Sequence, residues 1–370
     1  MPYCYHPFHG LEIESNGAIR PCCKFRPELF KDWPGFNVKD GINTYLNSDA
    51  LKQLQDQFNN NEKPAACIRC WKDEETGLPS KRQLDADKAG PAPTGIKFLT
   101  LPLGNHCNLK CRICGPDSST SWIAEHKALT GEKFDVQSWH KDPRILAEIL
   151  RLAKDCVEIH IHGGEPFLLE NFEHSLFLTT LVSTGAASNI KLHYSTNGTV
   201  FPVEDLWRIW KYFKIVDVQV SLDDYGKRFE YNRHPAKWAI VEDNLMKYKA
   251  RLPLFQLSIS TTVSVFTINY LDEFFTYIQS LGLPKPWLGR LHTPIYYQVN
   301  VLPDEARNEI KNKLLNSQHN DLRAIASWLD GNNLQWKRFV EMVHKHDKYR
   351  NEKFVDIFPE LAKLTNFDDK

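Results

Sequence analysis

From Ile96 onward the chain alternates short apolar runs of β type with stretches of helical period, and that alternation limits the fold before any chemistry is considered. Candidate strands are 96–103, 157–162, 190–195, 215–222, 254–263 and 295–301. Helical stretches lie near 117–129, 143–154, 169–182, 203–212, 236–250 and 270–281. Strand–helix repetition requires parallel strands with helices packed outside them. The expected class is α/β: a partial (β/α)6 barrel over 96–302, TIM-like but short of eight repeats. Such barrels gather their chemistry at the carboxyl ends of the strands.

Two further regions flank it. Residues 1–87 read as a small α+β domain. Leu11-Glu-Ile-Glu-Ser alternates, Asn16-Gly17 turns and Ala18-Ile-Arg follows, which is a hairpin signal. Ser48 can cap a helix whose Leu51, Leu54 and Phe58 fall at helical spacing. Residues 88–95, rich in Gly and Pro, read as a linker. After Pro303 the chain becomes helical and charged, so 303–370 is expected to form a helical extension. Trp336, Phe339, Val340 and Val343 make one apolar stripe; Phe354, Ile357, Phe358 and Leu361 make another. They read as helices packed on the barrel, or, more sharply, as a closure of its open side that reaches the substrate.

Forty-six basic and 46 acidic residues cancel, which gives no broad attraction to a phosphate backbone and argues against nucleic acid as the main partner. No apolar run is long enough to span a membrane. The start, Met-Pro-Tyr-Cys-Tyr-His, lacks the basic and apolar regions of an export signal. A reducing cytoplasm is the expected compartment, and there thiols stay free of disulfides.

Nine cysteines occur in 370 residues. Cys107, Cys111 and Cys114 lie in Asn105-His-Cys-Asn-Leu-Lys-Cys-Arg-Ile-Cys-Gly115 with C-x3-C-x2-C spacing, a pattern expected by chance only about 0.005 times in such a chain. Three thiolates so spaced can hold three irons of a 4Fe–4S cube and leave the fourth open to a small molecule. A zinc knuckle is the alternative, but no suitably spaced fourth ligand follows.

This triplet, its following Gly-Pro-Asp-Ser-Ser-Thr-Ser-Trp and the later motifs resemble the radical S-adenosylmethionine (SAM) superfamily. The resemblance implies that the open iron chelates the amino and carboxylate groups of SAM. It also implies that reductive cleavage yields methionine and a 5′-deoxyadenosyl radical that takes hydrogen from a substrate. Gly163-Gly164-Glu165 then corresponds to the segment that meets the methionyl amine. Its glycines allow close backbone approach. Ser195 and Asn197, at the end of the third strand, are assigned to ribose or carboxylate contact. Ser221 and Asp223 end the fourth strand. Arg233 follows as the candidate for the methionyl carboxylate, since a guanidinium pairs with a carboxylate in two parallel bonds. In one departure, Ile113 stands before the third cysteine, where many members have an aromatic near the adenine. His160, His162 and His193 are substrate-site candidates only, and no residue is assigned a catalytic acid or base role.

The remaining cysteines form a second group. Cys4 and Cys22 bracket Gly17 as C-x12-G-x4-C, and Cys67 and Cys70 form C-x2-C before Trp71. They resemble the twitch-type auxiliary domain of the superfamily, here before the barrel rather than after it. This implies a second 4Fe–4S cluster on Cys4, Cys22, Cys67 and Cys70. A Cys4 zinc ribbon is the alternative, and Cys23, beside Cys22, competes for the same place. Cys156 reads as a buried small hydrophobe.

The expected function is that of a two-cluster radical SAM oxidoreductase or modifying enzyme. The auxiliary cluster would take part in redox or in substrate positioning. The expected partners are a reductant such as flavodoxin or ferredoxin and a peptide or protein substrate. With the auxiliary domain starting at residue 4, no leader-binding module is expected, so a peptide substrate is expected to need a separate recognition partner or direct docking. The alternatives are dehydrogenation of a sugar-like or nucleotide-derived small molecule, and a non-enzymatic iron–sulfur electron carrier.

Overall fold

The computed structural model describes residues 3–367 apart from 76, 78, 87, 89, 91, 92, 169–171 and 253. Part of the expected 88–95 linker, the end of the 1–87 segment and the start of the 169–182 helix lie outside the described residues.

The chain is α/β, with eight strands among the described residues, in mostly parallel order. These are β1 (Gly10–Ile13), β2 (Ile19–Arg20), β3 (Phe98–Pro102), β4 (Glu158–His162), β5 (Lys191–Thr196), β6 (Ile215–Ser221), β7 (Gln256–Val263) and β8 (Trp287–Arg290). The sheet order is β2-β1-β3-β4-β5-β6-β7-β8. The Asn16-Gly17 turn does join an antiparallel hairpin, pairing Glu12 with Arg20. Its first strand then runs parallel to β3, with Leu11 opposite Leu99.

Five of the six expected strands form within two residues of their expected bounds at each end. The sixth does not. Residues 295–301 form two short 3-10 turns, Ile295–Tyr297 and Val299–Val301, and the parallel partner of β7 is instead Trp287–Arg290. The apolar 295–301 run is buried through Tyr297, Val299 and Val301, so the burial signal was real but the period was not that of a strand.

Two compact units divide the described chain. The first comprises Met1–His106, Asp135–Ser195 and Pro202–Val218; the second comprises Cys107–Phe134, Thr196–Phe201 and Gln219–Lys370. In the first, alternation sorts side chains by face. Ile159, Ile161, Leu192 and Tyr194 are buried on one face of β4 and β5, while His160, His162, His193 and Ser195 share the half-buried polar face. Ser48 caps Asp49–Asn59 by accepting the Leu51 N–H, and Leu51, Leu54 and Phe58 face inward as the spacing predicted. In the second unit, helix Trp336–Arg350 buries Phe339 and Val343, and then continues the same face with His346, Asp347 and Arg350. Among the described residues no helix is long and apolar enough to cross a membrane.

Candidate functional site

Several backbone groups of the three-cysteine loop in the second unit have identified partners. The Ser121 hydroxyl donates to the Cys107 carbonyl at 2.7 Å, the Ser119 hydroxyl to Leu109 O, and the Trp122 indole N–H to Cys111 O at 3.0 Å. In the other direction Lys110 N–H donates to His234 O at 2.7 Å and Arg112 N–H to Asn232 O at 2.8 Å. The Ser-Ser-Thr-Ser-Trp segment is thus a comb of donors for the loop's carbonyls, which a buried loop must have. The thiols of Cys111 and Cys114 are hydrogen-bond partners, an arrangement that lowers Cys111 and raises Cys114, and Cys107 faces them.

Polar groups surround these sulfurs. The Asn197 amide lies 3.8 Å from Cys107 Sγ, and Arg233 Nη1 lies 4.0 Å from Cys111 Sγ. Arg233 pairs with Asp223 through Nη2 at 2.8 Å, and Asp223 also accepts the Thr262 N–H. Among the described residues, Arg233 Nε and both side-chain amide atoms of Asn232 are buried without a hydrogen-bond partner. Unpaired buried donors are costly, so this pocket edge is suited to a ligand carboxylate. Ser221 is half-buried at the end of β6. Asn197 spends its carbonyl oxygen locally, accepting the Thr199 N–H and hydroxyl.

In the first unit, Gly163 and Gly164 carry φ of +86° and +55°. A Cβ on Gly163 would meet Pro102 Cβ at 2.2 Å, and one on Gly164 would meet His106 O at 2.0 Å. Only glycine fits both positions. Glu165 is fully buried; its N–H donates to His106 O and its Oε1 accepts the Phe167 N–H. Ser195 shares a 2.9 Å hydrogen bond with His160 Nε2. His193 Nδ1 donates to Asp217 Oδ2 at 2.9 Å, and the rings of His160 and His193 meet edge to face at 4.4 Å. Burial, then the neighbouring His193 and His162, holds His160 well below its ordinary value. Burial, then Arg20, puts His162 at about 4. This polar set includes Asp217, which the sequence reading missed; its place opposite the valines of β6 was the available signal.

The second cysteine group also lies in the first unit. Cys4, Cys22, Cys67 and Cys70 all line one small cavity of about 20 Å³. Phe25, Leu54, Phe58, Ala66 and Trp71 pack around it. Lys24, Lys81 and Arg82 line the same cavity, and three cations suit an inorganic core whose four thiolates make it anionic. Burial raises the Cys4 thiol to about 12, and the facing Cys70 adds to the rise. Cys22 lines the cavity, whereas the neighbouring Cys23 is exposed and is not among its lining residues. Cys156 is buried with its thiol toward the Ile96 and Leu152 carbonyls.

The Radical SAM superfamily profile matches residues 101–277, and the SPASM iron–sulfur cluster-binding domain matches residues 4–71. A GTP 3′,8-cyclase of Corynebacterium glutamicum is 27% identical over 106 residues, covering 27% of this chain and 24% of that protein. The match therefore spans about a quarter of the cyclase. Similar solved structures include His6-tagged anSMEcpe with bound AdoMet, at 18% identity and TM-score 0.43 over 70% of this chain and 60% of that one. Streptococcus suis SuiB bound to S-adenosylmethionine shows 16% identity and TM-score 0.37, over 70% and 53%.

Proposed function

Because the chain belongs to the radical SAM superfamily and carries an N-terminal iron–sulfur domain, we propose that it is a two-cluster oxidoreductase that remodels an unreactive C–H position in a peptide or protein. SAM and a 4Fe–4S cluster are its cofactors, together with an auxiliary cluster, and a radical SAM enzyme needs an electron donor. A flavodoxin or ferredoxin is the donor we infer.

The observation that carries this reading is the contrast in donor sets: three thiols with orphaned donors beside them, and four thiols around a closed cavity. When bound, the first cluster supplies reductive cleavage of SAM to a 5′-deoxyadenosyl radical. Cys107, Cys111 and Cys114 would hold it. Arg233, kept in place by Asp223, would present Nε to the methionyl carboxylate, and Asn232 adds an unpaired side-chain amide. Glycines 163 and 164 with Glu165 are assigned to the methionyl amine, and Ser195, Asn197 and Ser221 to the sugar or carboxylate. Cys4, Cys22, Cys67 and Cys70 would saturate the auxiliary cluster, which fits electron acceptance or positioning rather than SAM binding. His160, His162 and His193 offer a neutral, hydrogen-bonding face for substrate.

The substrate class rests on the kind of reaction that relatives with such auxiliary domains perform. The partial match to a GTP cyclase favours the second reading, a nucleotide-derived small molecule. The test is anaerobic reconstitution followed by dithionite and SAM. We expect about eight irons per chain and 5′-deoxyadenosine in the product. An electron carrier would yield none. Co-expression with candidate peptides should then remove two hydrogens from one of them; turnover of nucleotides instead would move the assignment to the second reading.

A further inference from the structure

Helix Trp336–Arg350 brings a set of buried charges to the cysteine loop. Arg112, which lies between Cys111 and Cys114 and is 1% exposed, donates through Nη2 to Asp347 at 2.5 Å and to Glu352 at 2.6 Å. Its guanidinium also lies 3.5 Å over the Tyr231 ring, and the Tyr231 hydroxyl donates to the same Asp347 oxygen. Arg350 donates to Lys110 O at 2.8 Å and to Glu125. Glu125 in turn pairs with Lys110 Nζ at 2.9 Å. Arg350 stacks 5.0 Å from the Trp122 ring, whose indole holds Cys111 O. Three cations (Lys110, Arg112, Arg350) meet three carboxylates (Glu125, Asp347, Glu352), and His346 and His234 also hydrogen-bond Glu125 and Glu352, each at 2.7 Å. Two of these cations belong to the loop itself, and their partners come from beyond residue 124.

We propose that the end of helix Trp336–Arg350, with Glu352 just after it, is part of the cluster-holding apparatus. Asp347, Glu352 and Arg350 are positioning residues that lock the Cys107–Cys114 backbone in its ligand-bearing shape. The inference deepens the reading that these three thiols hold a cluster and rests on it. Partners outside the ligand shell commonly tune metal affinity by ten- to a hundredfold, and here they act on backbone that carries three ligands in eight residues.

The full chain, anaerobically reconstituted with both clusters, provides its own control. Iron loss to a ferrous chelator is followed in the parent, in Asp347→Asn and in the gentler Arg112→Lys, which keeps the charge but loses the Nε hydrogen bond to the Tyr231 carbonyl. The signal of each cluster is followed by electron paramagnetic resonance. Asp347→Asn should release about half the iron at least tenfold faster, with loss of the signal that SAM perturbs, while the auxiliary half leaves at the parental rate. Arg112→Lys should show a smaller change of the same kind, and it carries the test should Asp347→Asn fail to fold. Iron leaving both variants at the parental rate, or equally from both clusters, overturns the proposal. A Cys107→Ala, Cys111→Ala, Cys114→Ala variant that keeps all its iron would instead defeat the underlying cluster reading.

Discussion

The two cysteine groups hold their sulfurs by opposite means. The loop of Cys107, Cys111 and Cys114 is fixed by hydrogen bonds and buried ion pairs that satisfy its backbone, and beside it lie donors with nothing to bind. The cavity of Cys4, Cys22, Cys67 and Cys70 is framed by aromatic packing and lined with cations, and its four sulfurs leave no obvious place for an added ligand. An open site must hold its own shape while one corner exchanges ligands, so it relies on directional bonds. A saturated site gains its shape from the group it encloses, so non-directional packing suffices.

The largest expected effect follows directly. Cys111→Ala should abolish 5′-deoxyadenosine formation and lower iron from about eight to about four per chain. Cys70→Ala should lose a similar amount of iron yet retain slow, uncoupled SAM cleavage. If both variants lose cleavage equally, the two sites are not separable and the comparison fails. A Cys23→Ala variant should keep its full iron, since Cys23 is exposed and is not among the residues that line the cavity.

A smaller effect sharpens the role of the orphaned donors. Arg233→Lys removes the buried Nε, and hydrogen bonds to a charged group are worth about 1.5–3 kcal/mol, or roughly ten- to a hundredfold in affinity. A SAM titration followed by the cluster's spectroscopic shift should show that weakening with iron content unchanged. Unaltered affinity would assign Arg233 to the Asp223 pair alone.

How much of this was legible beforehand differs along the chain. Motifs whose chemistry is local could be read: the cysteine spacing, the glycine pair, the Ser48 cap. The parallel pairing of β1 with β3 could not, because nothing in Gly10–Ile13 names a partner some 90 residues away. β8 was missed because it is only four residues long, contains Gly289 and follows Lys285-Pro286, while the longer apolar run at 295–301 offered a stronger false signal. The buried charges of helix Trp336–Arg350 were hidden by their type. Their spacing was visible, since 339, 343, 346, 347 and 350 continue one helical stripe, but a pattern of apolar residues stops at Val343.

The glycine pair allows a stability test that replaces no cysteine. Gly164→Ala places a Cβ 2.0 Å from His106 O on a residue with φ +55°. Backbone strain of this kind costs about 1–3 kcal/mol, and the clash with rigid backbone puts the value at the upper end. The denaturation midpoint should fall accordingly. A neutral substitution would mean that the turn can open, which would weaken the case for a rigid first-unit wall.

The smallest effect concerns pH and the histidine face near that turn. His162 is held at about 4, below its ordinary 6.5, first by burial and then by Arg20 and His193. A folded-state value below the unfolded one means the unfolded chain binds the proton first. The stabilising contribution is therefore complete above pH 6.5 and is lost as pH falls toward 4. His160 shifts in the same direction, so the two act together. Replacing His162 with Gln should flatten the decline of the denaturant midpoint between pH 6.5 and 4.5 relative to the parent, with His160 accounting for what slope remains. A decline as steep in the variant as in the parent would show that His162 is already solvated in solution. The four-thiol cavity, the three-thiol loop and their comparison would stand, but the neutral face proposed for substrate would not.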